Sequence, residues 1–106
     1  MNNFADMLSK AKAMQDKMKE AQEKIKKIEA EGEAGGNLVK VILTGDYELK
    51  SIIISEEAKK ENQEIINDLI IAAYNNAKEN LKKKSAEELS KVTGGLNLPP
   101  DFKLPF

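Results

Sequence analysis

The chain has 106 residues, with 17 lysines set against 18 acidic residues and a formal net charge of −1. It contains no cysteine, histidine, arginine or tryptophan, which removes disulfides, thiolate chemistry and the usual ligands of zinc and softer metals. The length is that of one domain with a modest core, for which association with a second copy is a common remedy.

The near-neutral total hides a segregation. Residues 1–28 carry +3 (seven Lys, four acids), residues 29–77 carry −6 (four Lys, ten acids), and residues 78–106 carry +2 (six Lys, four acids). Two cationic ends enclose an anionic middle, so the whole-chain balance says little about affinity for a polyanion. No run of about 18 apolar residues is present, so no membrane span is expected. The start, Met1-Asn2-Asn3-Phe4-Ala5-Asp6, lacks the basic and apolar stretches of a secretory signal. A cytoplasmic location is the expectation.

The first predicted helix runs from about Asn3 to Ile28, rich in good helix formers and free of Gly and Pro. Phe4, Met7, Ala11, Met14, Met18, Ala21, Ile25 and Ile28 alternate steps of three and four, a heptad seam for lengthwise helix packing. Two lysine files flank it at seven-residue intervals, Lys10-Lys17-Lys24 and Lys12-Lys19-Lys26, with Lys27 beside the second. A seven-residue step returns to nearly the same face, so each file is a physical stripe on an arm about 38 Å long.

Glu29–Ala34 reads as a weak strand, closed by the Gly35-Gly36-Asn37 turn signal. Leu38–Thr44 and Leu49–Ile54 read as strands joined by the turn Gly45-Asp46-Tyr47-Glu48. An even-length turn puts Val39, Val41 and Leu43 on one face with Ile52 and Ile54, and leaves Leu38, Ile42, Leu49 and Ile53 on the other. A sheet apolar on both sides needs cover on both. Leu38, Ile42, Leu49 and Ile53, with Met14 and Met18 of the seam, are therefore the candidate homodimer interface.

Ser55–Glu61 reads as a polar connection, and Asn62 as the N-cap of a second helix reaching Lys84. The capping-box pattern Ser85-Ala86-Glu87-Glu88 predicts a bend and a third helix, Ala86–Thr93, stopped by Gly94-Gly95. Residues 1–95 are read as a single domain, and Leu96–Phe106, which holds all three prolines, as an extended tail.

Lysine is a point charge on a flexible stem, suited to phosphate contact rather than to reading base edges. The candidate DNA-binding residues are Lys10, Lys12, Lys17, Lys19, Lys24, Lys26 and Lys27, with Lys82, Lys83, Lys84 and Lys91 as a second patch. The plainer reading of each patch is a solvated flank, its stems laid over the seam and its ammonium groups paired with nearby acids. Gly32, Gly35 and Gly36 make no phosphate loop, and Glu56-Glu57 and Glu87-Glu88 have no catalytic partner. The methionines fit pliable packing. No catalysis, metal, cofactor, small-molecule substrate or membrane partner is expected.

Three motifs carry a resemblance. Gly35-Gly36-Asn37-Leu38-Val39-Lys40-Val41, then Asp68-Leu69-Ile70-Ile71-Ala72-Ala73-Tyr74-Asn75-Asn76-Ala77, then Thr93-Gly94-Gly95 through Leu98-Pro99-Pro100-Asp101-Phe102-Lys103-Leu104-Pro105-Phe106 occur in order. Together they resemble the YbaB/EbfC family of nucleoid-associated proteins. The resemblance implies an α+β fold with a long N-terminal helix, a three-stranded antiparallel sheet and C-terminal helices. It also implies a tweezer-like homodimer whose helical arms bind duplex DNA, with roles in nucleoid organisation and gene expression. It implies no enzymatic activity and no cofactor. Two long helices around a β-hairpin also resemble prefoldin-type subunits, so a coiled-coil chaperone or scaffold is the alternative, with Phe4, Met7 and Leu8 as gripping residues.

Overall fold

The computed structural model describes residues 3–93. Helix α1 (Asn3–Lys26) leads into strands β1 (Glu29–Ala34), β2 (Val39–Thr44) and β3 (Leu49–Ile54), then a one-turn helix α2 (Glu56–Lys59) and the long helix α3 (Gln63–Thr93). The sheet is antiparallel in the order β1-β2-β3. The predicted weak strand is therefore real. It is followed by a turn in which Gly35, Gly36 and Asn37 are all left-handed.

One sheet face carries the core. Ala30 and Gly32 of β1 stand opposite Leu43 and Val41, and Val39 and Val41 stand opposite Ile54 and Ile52, as the alternation predicts. Helix α3 covers this face with Ala73, Ala77 and Leu81, all fully buried. The approach is close because β1 offers no side chain at Gly32. A Cβ there would overlap the α3 backbone at Ala73 and Ala77. Among the described residues the largest fully buried side chains are Leu43, Leu81, Val39 and Val41. A core this small fits the expectation from length.

The second face differs from the expectation. A bulge between Ile42 and Leu43 shifts the β2–β3 register, so Leu49 stands opposite Leu43 rather than on the Ile42 side. Leu38 precedes β2 and packs against the core with Leu69. Much of the remaining face is charged: Lys40 bridges Glu31 at 3.7 Å and Glu33 at 3.9 Å, and Lys50 pairs with Glu29. Ile42, half-buried, and Ile53, 51% exposed, are its apolar part.

Two helix boundaries also depart from the sequence reading. Ser55 caps α2, its Oγ accepting from the Ala58 N–H at 3.1 Å, where a plain connection was expected. Helix α3 runs unbroken through Ser85, so the expected separate third helix is absent. No Gly or Pro interrupts Lys82–Lys91, and helical bonding wins over the local cap pattern there. The cap at Asn62 is present, its Oδ1 accepting from the Ile65 N–H at 2.9 Å. Gly94-Gly95 and the proline-rich tail lie outside the described residues.

Candidate nucleic-acid interface

Helix α1 is an arm. Only Ala21 and Ile25, near its C-terminal end, are buried, against the foot formed by α3 and the β2–β3 turn. The glycine of that turn makes the seat: a Cβ on Gly45 would overlap the Ile25 carbonyl. Beyond the foot the arm projects, with Phe4 72%, Met7 67% and Leu8 56% exposed and Met14 and Met18 half-buried. The radius of gyration is 19.3 Å, against about 13 Å for a compact chain of this length. The predicted seam is thus divided, its lower end closed within the chain and its upper end open.

All seven lysines of residues 10–27 are exposed. Helical geometry places Lys12, Lys19 and Lys26 in one stripe and Lys10, Lys17 and Lys24 in another, with steps of about 10.5 Å along the axis. Asp6, Asp16, Glu20 and Glu23 fall between the stripes on the outer surface. Among the described residues only Lys24 is paired on this arm, to Glu20 at 4.0 Å. Among the described residues Lys10, Lys12, Lys17, Lys19, Lys26 and Lys27 have no carboxylate within 4 Å. The conditions for two tracks of phosphate contacts are present on α1.

The second patch is different. Lys84 is committed to the fold, its Nζ donating to the Glu29 carbonyl at 2.8 Å. One and two turns before it, Asn80 Nδ2 donates to the Glu31 carbonyl at 2.7 Å and Asn76 Oδ1 accepts from the Glu33 N–H at 3.0 Å. Residues 76, 80 and 84 thus form a rail along α3 that engages the outer edge of β1. Sequence reasoning missed the rail; its signal was polar residues at i, i+4 and i+8 beside a helix face of alanines. Lys82 pairs with Glu79 at 3.7 Å and Lys91 with Glu88 at 3.5 Å. Lys83 lines a shallow depression with Glu29, Glu31 and Glu87. The lysines of α3 stand among Glu79, Glu87 and Glu88, whereas six of the seven lysines of residues 10–27 have no carboxylate within 4 Å among the described residues.

The pattern of the YbaB/EbfC DNA-binding family matches residues 1–96, a span that includes the helices and the sheet. The chain belongs to the YbaB/EbfC DNA-binding family. Among curated relatives, a nucleoid-associated protein of Granulibacter bethesdensis is 46% identical over the full length of both chains. Nucleoid-associated proteins of Agrobacterium fabrum and Rickettsia typhi are each 44% identical, again over the full length of both. Among the described residues no helix is long and apolar enough to cross a membrane, and no cluster of His, Cys, Asp or Glu is placed to hold a metal ion.

Proposed function

We propose that this family member is a nucleoid-associated protein that binds duplex DNA as a homodimer, through lysine–phosphate contacts made chiefly by α1. The observation that carries the reading is a helix whose projecting part bears Lys10, Lys12, Lys17 and Lys19, continued by Lys26 and Lys27 at its foot, all exposed and free of carboxylate partners among the described residues. A rod with cations at regular steps follows a polyanion without reading its bases, and the absence of arginine fits weak sequence preference. The pairs at Lys24 and Lys82 are solvent-exposed on both sides and weak enough for phosphate to displace, whereas the Lys91 partner Glu88 is largely covered. The implied role is in nucleoid organisation and gene expression, within the cytoplasm and without catalysis or cofactor.

The dimer reading rests on two apolar surfaces. The rail on α3 covers the outer edge of β1, whereas no comparable ladder covers β3 among the described residues. Leu49, Ile52 and Ile53 are all exposed along β3. An open apolar strand edge invites a second copy. Phe4 and Met7 continue an open seam on the arm, with the exposed Leu8 beside it, which a partner helix would cover. These same residues motivate the chaperone alternative, but a three-stranded sheet and family membership favour DNA over an unfolded client.

Gel-shift titration of duplex DNA across a salt series tests the function. With about six phosphates neutralised, log affinity falls against log salt with a slope of about −5. Binding that ignores salt, or no binding at all, contradicts it.

A further inference from the structure

The β2–β3 turn contains an anomaly that neither folding nor the lysine stripes explain. The Thr44 carbonyl accepts from the Tyr47 N–H at 2.9 Å, and the Thr44 N–H donates to the Glu48 carbonyl at 2.9 Å. This closes a three-residue hairpin loop whose last position, Tyr47, has φ 64°. Such loops put a left-handed residue there, and glycine suits it best. The glycine of this turn sits at position 45 instead, where contact with the Ile25 carbonyl excludes a side chain. The left-handed position is left to a bulky aromatic, a conformation that is uncommon and strained.

Burial does not compensate for the strain, because Tyr47 remains 42% exposed. Tyr47 lines an open cleft of about 520 Å³ with Gln22, Ile25, Lys26, Asp46 and Leu89. Lys26 is the last member of the Lys12-Lys19-Lys26 stripe, so the stripe runs directly into this cleft. Lys26 and Asp46 both line the cleft, one charge of each sign, and Tyr47 is the aromatic residue it offers to a ligand arriving along the stripe.

Resting on the DNA-binding reading above, we propose that Tyr47 is a non-electrostatic DNA-contact residue, its ring packing against a nucleoside of duplex DNA held along the α1 stripe. Aromatic rings pack on sugar and base surfaces of any sequence, which suits a binder of low specificity.

The chain has two tyrosines and no tryptophan, so in Tyr74→Phe the emission of Tyr47 is read alone. A labelled short duplex and the dimeric protein are titrated by anisotropy and by tyrosine emission, beside Tyr47→Asn and Lys26→Ala. Asparagine tolerates the left-handed conformation, so Tyr47→Asn retains the fold and melts no lower than the parent. The expected result is quenching of Tyr47 emission at saturating duplex and roughly ten-fold weaker binding by Tyr47→Asn. The salt slope of Tyr47→Asn is unchanged, whereas Lys26→Ala lowers it by about 0.9. Parental affinity in Tyr47→Asn, unchanged Tyr47 emission with duplex bound, or dissociation of the Tyr47→Asn dimer each overturns the inference while leaving lysine-mediated binding intact. A parent chain that binds no duplex overturns both together.

Discussion

Gly32 of β1 lies against the α3 backbone at Ala77, so near that any side chain at position 32 would overlap it. This contact sets the separation of helix and sheet, and with it the direction in which α3 leaves the body. Gly32→Ala forces two backbones apart rather than displacing a flexible side chain. Overpacking of this kind costs about 1–3 kcal/mol, and the rigid contact puts this case near the upper end. Urea denaturation is the check, with a lower midpoint expected and an unchanged slope.

The adjacent lysines of α3 separate stability from binding. Lys84 donates to the Glu29 carbonyl, whereas Lys83 has no such bond among the described residues. Lys84→Met keeps the stem and loses the hydrogen bond, costing about 1 kcal/mol, or a fall of about 4–8 °C in melting temperature. Lys83→Met, a surface change within about 0.5 kcal/mol, moves the melting temperature by at most about half as much. Thermal melts of the two variants side by side decide between these outcomes.

The sheet edge carries the third expectation. Ile53 is 51% exposed on β3, the strand whose outer edge no rail covers among the described residues. Ile53→Lys places a charge on that surface, a known means of blocking edge pairing. Sedimentation equilibrium is expected to show a dimer for the parent and at least a roughly ten-fold weaker one for the variant, since burying one unpaired charge exceeds about 1.4 kcal/mol. An unchanged dimer places the interface elsewhere.

Local chemistry made much of the architecture legible. The heptad seam gave α1, the glycine turn exposed the weak strand β1, and Asn62 marked the start of α3. Long-range chemistry hid the rest. Asn76 and Asn80 look like surface residues on a helix until β1 lies beside them, because their partners are more than forty residues away. Lys84 was read with Lys82 and Lys83 as one patch because a sequence shows charge but not the carbonyl that occupies it. The Ser85 cap pattern failed for the opposite reason, a local signal overridden by the continuous helix around it. Leu49 changed sides because a single bulge moved the register by one residue. The exposed lysines of α1 stand along a projecting arm, as their spacing implied.

The stripe on α1 is the core of the account, and charge reversal along it is the most direct test. In Lys12→Glu, Lys19→Glu, Lys26→Glu combined, three exposed cations without carboxylate partners among the described residues become anions, and none lies in the buried core. Duplex binding is measured by gel shift at low salt, with sedimentation on the same samples. The account predicts an intact dimer that no longer shifts DNA. An intact dimer binding with parental affinity would show that this arm is not where the protein holds DNA.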